Sequence, residues 1–159
     1  MRCGYHRDAI LLYRQSAEII NEIGGPHEKA ILDNNTGSIH SYRGHHPEAL
    51  ESYRRALRIH KHMGDRRNEA DVRISIGATH DQMGQHAQAL AHLNIALTIE
   101  DPYLQATALT GIATTLLHTT GPDGARLYIR QAHDIYQRLG VPEAAHTWIQ
   151  LQTLDTAAS

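Results

Sequence analysis

Ala9, Ala49, Ala89 and Ala125 stand 40, 40 and 36 residues apart, and each opens the same short pattern. Four positions on come Tyr13, Tyr53, Leu93 and Ile129, all large. Seven on come Ser16, Ala56, Ala96 and Ala132, all small, and ten on come Ile19, Ile59, Ile99 and Ile135. Positions i, i+4 and i+7 share one helix face. A small–large–small stripe there lets a neighbouring helix approach closely while the large side chain fills the gap. A second series precedes these: Ala30, Gly37 and Gly44, then Ala70, Gly77 and Gly84, and more loosely Ala106, Ala113 and Gly121. A chain that alternates two helix patterns buries both faces by stacking hairpin on hairpin, as a short solenoid does.

The punctuation supports this. Pro26, Pro47, Pro102, Pro122 and Pro142 sit where helices should begin, because the fixed φ suits the first turn and the missing N–H has no partner there. Asp101 is placed to cap the helix opened by Pro102, and Asp123 and Glu143 add favourable charge to other first turns. Gly24, Gly44, Gly64, Gly84, Gly121 and Gly140 fall where helices should stop. Between these marks lie helices at about 7–22, 27–43, 47–63, 66–83, 86–100, 102–119, 122–139 and 142–154. No stretch alternates with period two, so no strand is expected.

The pattern resembles the tetratricopeptide repeat, whose first helix carries an aromatic, Leu, Gly and Tyr, and whose second carries Ala, an aromatic and Ala. Ile76-Gly77 with Ala89, Leu93 and Ala96 stand at the matching offsets, as do Thr36-Gly37 with Ala49, Tyr53 and Ala56. Ile112-Ala113 with Ala125, Ile129 and Ala132 match too. The resemblance runs from Gly4 to about Leu154. It departs where Asp33, Arg73 and Leu109 replace the first-helix aromatic, and where His40, His80 and Leu116 replace the Tyr. The resemblance implies an all-α, right-handed α–α superhelix of about three and a half hairpins plus a C-terminal capping helix. The whole chain, 1–159, forms one repeat domain, divided into a partial repeat at 4–25, repeats at about 26–65, 66–101 and 102–140, and a capping helix at 142–154. His40 and His80 are expected to pack half-buried and to hydrogen-bond. The opening at Gly4 aligns with the end of a first helix, so the chain is read as the C-terminal part of a longer ancestral protein, or as a partial gene product.

The junction from Gly64 to Ala70, Gly-Asp-Arg-Arg-Asn-Glu-Ala, together with the long repeats, resembles the C-terminal repeat arrays of bacterial antibiotic-regulatory transcriptional regulators. That resemblance implies a sensing or assembly role. The ATPase and DNA-binding activities of such regulators do not transfer, since no Gly-rich phosphate loop occurs in this chain.

Composition narrows the function classes. A formal charge of -2 gives no electrostatic case for nucleic acid or a membrane surface. The basic run at Arg54, Arg55, Arg58, His60, Lys61 and His62 is flanked by Glu48, Glu51 and Asp65, as a solvated face would be. Cys3 is the one cysteine, which excludes an intrachain disulfide and fits the cytoplasm. No apolar run is long enough for a transmembrane helix.

The family lines its concave groove with first-helix residues that contact a protein or peptide ligand. On this register the resemblance places there Asn34, Ser38, Ser41 and Tyr42, then Ile74, Ala78, Asp81 and Gln82, then Thr110, Thr114 and His118. The Lys and Arg of a groove that clamps a carboxylate terminus are missing from these positions. The 13 histidines do not form a metal motif along any one helix: His60 and His62 are two apart, and His80, His86 and His92 six apart, whereas helical zinc ligands recur at i+3 or i+4. No nucleophile elbow, carboxylate pair or phosphate loop is present, so no catalytic residue, metal or cofactor is expected. The expected function is protein or peptide binding through the groove. A second reading is homo-oligomerisation through the face of the helix at 7–22, with Ile10 and Leu11.

Overall fold

The computed structural model describes residues 15–20 and 22–156. Residues 15–20 and 22–23 are helical (α1). There follow α2 (Pro26–Tyr42), α3 (His46–Met63), α4 (Arg66–Gln82), α5 (His86–Ala96), α6 (Pro102–Thr119), α7 (Pro122–Leu139) and α8 (Glu143–Thr156). No strand occurs among the described residues. Ile10 and Leu11, and most of the helix expected at 7–22, lie outside them. The chain divides into two compact units, Met1–Gly64 and Asp65–Ser159.

Helix boundaries follow the expected punctuation. Gly64 and Gly140 end α3 and α7 in the left-handed conformation, at φ 69° and 66°, which costs a residue without Cβ nothing. Asp65 caps α4 by accepting from the Asn68 amide at 3.1 Å, and Asp101 caps α6 by accepting from the Leu104 amide at 3.0 Å. One boundary differs from expectation: α5 stops at Ala96 rather than near residue 100. Asp101 must be extended to precede Pro102, at φ -129° and ψ 108°, and no Gly–Asp turn is present to reverse the chain. The reversal therefore consumes the last turn. Thr98 donates to the Ile95 carbonyl and the Gln105 amide donates to the Ile99 carbonyl, which satisfies groups the helix would have paired.

In unit 1, α2 and α3 form a hairpin. Its stripe is buried as the register requires, with Ala49 and Ala56 flanking Tyr53. Gly37 lies directly beneath the Tyr53 ring: a Cβ there would stand 2.6 Å from two ring carbons. In unit 2, α4 pairs with α5 and α6 with α7; α5 also packs on α6, α4 lies alongside α6, and α8 packs on α7. Ala89, Leu93 and Ala96, and again Ala125, Ile129 and Ala132, are buried. Each large member of the stripe contributes about 1.5–3 kcal/mol of burial. Leu93 fills the space over both Gly77 and Gly111.

Several polar residues in these cores are paired. Arg73, where the family has an aromatic, is buried and reaches Glu69 at 2.8 and 2.9 Å. Asp33, the equivalent in unit 1, pairs with Arg55 at 2.9 Å. Buried Thr79, Thr115 and Thr147 each donate a hydroxyl to a carbonyl one turn back, which removes the cost of burying an unpaired donor. His80 is buried, its Nδ1 2.6 Å from Oε1 of Gln85, as expected. His40 is half-buried against the His45 ring, 6.1 Å between centroids, but its Nδ1 has no hydrogen-bond partner.

Candidate ligand-binding face

The first helices of the two complete hairpins of unit 2, α4 and α6, lie side by side. Gln82 and Ala78 on α4 are exposed, as are Thr114 and His118 on α6. Residues three and four apart share a helix face, so Ala78 and Asp81 form one row and Thr114 and His118 another. The two rows meet: Nδ1 of His118 stands 3.1 Å from Oδ2 of Asp81. Thr110 and Ile74 begin the rows and are half-buried. Ile74 packs on the core cluster of Ala70, Ala96, Ile99, Leu104 and Ala108.

The face has a definite hydrogen-bonding character. Thr110 and Thr114 donate their hydroxyl protons to the Ala106 and Thr110 carbonyls at 2.9 and 3.0 Å. Their remaining capacity is to accept. Gln82 adds a side-chain amide, a group that both donates and accepts.

In unit 1, α2 carries the other four positions. Ser38 and Tyr42 are exposed, while Asn34 and Ser41 are half-buried. Ser38 donates to the Asn34 carbonyl at 3.2 Å and accepts from the Tyr53 hydroxyl at 3.2 Å. The core residue of the stripe thereby holds a surface position in place.

One member of the unit 2 face had no signal in helix spacing. His86, at the start of α5, places Nδ1 2.8 Å from Oδ1 of Asp81, and its ring lies 5.6 Å from that of His118. His86 follows Asp81 across a turn, and His118 comes from the next hairpin. Only the repeat register, which puts the ends of α4 and α6 together, could have pointed to the meeting.

Two further concavities lie off this face. One, of about 600 Å³, is lined by residues of α7 and α8 including Arg130, Asp134 and Trp148. The other, of about 430 Å³, is lined in unit 1 by Lys29, Asp33, Thr36 and Arg55 among others. Asp33 and Arg55 neutralise each other there.

Comparison with known proteins places this architecture. Residues 30–100 match the tetratricopeptide repeat family, and the described residues form an all-α helical-repeat fold. Among solved structures it is similar to the crystal structure of BtubC (BKLC) from P. vanneervenii, with a TM-score of 0.77 and 19% identity over 98% of this chain and 67% of that one. That likeness is one of fold. No curated protein matches the sequence. No helix among the described residues is long and apolar enough to cross a membrane.

Proposed function

We propose that the chain is a non-catalytic, cytoplasmic protein-binding module that holds an extended peptide segment of a partner against its first helices. Tetratricopeptide repeats generally mediate protein–protein interaction. The observation that carries the finer reading is the paired row on α4 and α6, where Ala78, Asp81, Gln82, Thr114 and His118 share one face and none is buried. Small Ala78 leaves room for a backbone, and the threonine oxygens supply acceptors for its N–H groups. The helices that carry these groups are fixed by their own core, so binding costs little ordering. Asn34, Ser38, Ser41 and Tyr42 do the same on α2. The resemblance of the Gly64–Ala70 junction to bacterial transcriptional regulators supports a sensing or assembly role within such a regulator.

Peptides selected from a random display library against the full chain test this reading. Ala78→Glu and Thr114→Glu, both at exposed positions, should weaken the selected peptides about tenfold or more while circular dichroism and melting stay unchanged. Selected peptides that bind both variants as well as the parent would sink the reading.

A second reading, self-association through the N-terminal helix, is favoured by one observation. Ile19 and Ile23, one turn apart in α1, are 57% and 81% exposed. Sedimentation should then show a concentration-dependent dimer that Ile19→Glu dissolves. A monomer at all concentrations excludes it.

A further inference from the structure

We infer that Asp81, His86 and His118 form a binding site for a divalent transition ion of the zinc class. One ligand atom from each lies within 4.8 Å of the other two. The carboxylate oxygens are 2.8 Å from Nδ1 of His86 and 3.1 Å from Nδ1 of His118. Bonds of about 2.0–2.2 Å in tetrahedral arrangement set ligand atoms roughly 3.3 Å apart. The two nitrogen–oxygen separations fall within about half an ångström of that spacing, and all three ligand atoms lie within 4.8 Å of one another. Imidazole and carboxylate together suit zinc, nickel and copper better than calcium or magnesium, which take oxygen ligands.

The three ligands come from three different helices, each held by its own packing. Asp81 lies in the last turn of α4 and His118 in the last turn of α6. Both are C-terminal ends, where unpaired carbonyls favour a cation; the opposing end is that of α5, which His86 opens. The Asp81 side chain is 9% exposed and that of His118 is 54% exposed. The carboxylate is thus shielded on one side while the site opens to solvent through His118. Three protein ligands leave a fourth position for water or an added ligand.

The chain supplies its own control. The first hairpin has the same turn, and there Ser41, His46 and Gln82 occupy the places of Asp81, His86 and His118 by register. The repeat thus calls for neither the acid nor the second imidazole at these places. Their convergence belongs to this turn of the chain and not to the architecture of the repeat.

Isothermal titration of zinc chloride into the full, untagged chain tests the inference, with cobalt as a spectroscopic stand-in. The expected result is one saturable site, weakened about tenfold or more by each of Asp81→Asn, His86→Gln and His118→Gln. His62→Ala, an exposed histidine on α3, should leave it unchanged. The cobalt form of the parent should show the intense visible absorption of a tetrahedral site, and the His118→Gln form should lose it. Because His118 is exposed, that variant keeps the fold, which its helical signal will verify. Zinc binding by the His86→Gln/His118→Gln double variant equal to that of the parent would overturn the inference and leave a hydrogen-bonded trio only. Equal loss of binding in His62→Ala would overturn it too, by showing adventitious surface histidines.

Discussion

At the scale of single residues, the hairpins depend on how closely one helix can pass another. Gly37 has no Cβ because the Tyr53 ring occupies that place, 2.6 Å from where the atom would be. Replacing it by alanine gains up to about 1 kcal/mol of helix propensity but forces a buried, rigid ring to move. Overpacking of this kind costs about 1–3 kcal/mol, so Gly37→Ala should lower stability in urea unfolding. In a Tyr53→Ala background the clash is gone and the same change should stabilise. A Gly37→Ala effect of equal sign and size in both backgrounds would refute the packing account. This contact was legible in the sequence, since Gly37 and Tyr53 recur as Gly77 and Leu93 at the same offsets. The meeting of Asp81, His86 and His118 was not, because nothing local in the sequence ties residue 118 to residue 81. Helix spacing reports neighbours on one helix, whereas these ligands converge across a turn and across hairpins.

At the scale of elements, boundaries were read from proline and glycine because those residues act through the backbone alone. The end of α5 was not, since it depends on the length of a junction rather than on a residue type. The start of α8 shows how side chains then lock one element to another. Tyr103 on α6 donates to Glu143 at 2.7 Å, and its ring meets that of Tyr136 edge-on at 5.8 Å. The hydrogen bond to the carboxylate, then burial, push the Tyr103 phenol up from 10.0 to about 12, and the same bond holds Glu143 below the usual carboxylate range. A phenol whose folded pKa is raised stabilises the fold fully below about pH 10 and loses that contribution as pH rises through about 12. For Glu143, depressed in the fold, the contribution is present above its unfolded value and fades as pH falls through the lowered one. Ultraviolet titration should therefore show late ionisation of Tyr103 that Glu143→Gln brings back toward the ordinary range. If Glu143→Gln leaves the tyrosine titration unchanged, the contact does not control Tyr103.

At the scale of the whole molecule, repeat proteins derive stability from each repeat and from its contact with the next, without a single central core. The second unit, Asp65–Ser159, illustrates this with three successive clusters. One joins Ala70, Ala96, Ile99, Leu104 and Ala108; the next joins Ala106, Leu109, Ala132 and Tyr136; the last joins Ala113, Ala125 and Ile129 with Leu151 and Leu154 of α8. Helix α8 closes the third cluster with one face and leaves Ile149, 60% exposed, on the other, while the Trp148 ring lies 5.6 Å from that of His133 on α7. A fragment spanning 65–159 contains every partner of these clusters, so it should be helical on its own and melt cooperatively. Removing α8 from that fragment exposes Leu116, Ala125 and Ile129 and should cost several kcal/mol, lowering the midpoint sharply. Circular dichroism melts of the two fragments decide the matter. A fragment 65–159 that melts without a cooperative transition would mean that the clusters need something beyond this unit. Equal melting with and without α8 would mean that the helix covers the third cluster without supporting it.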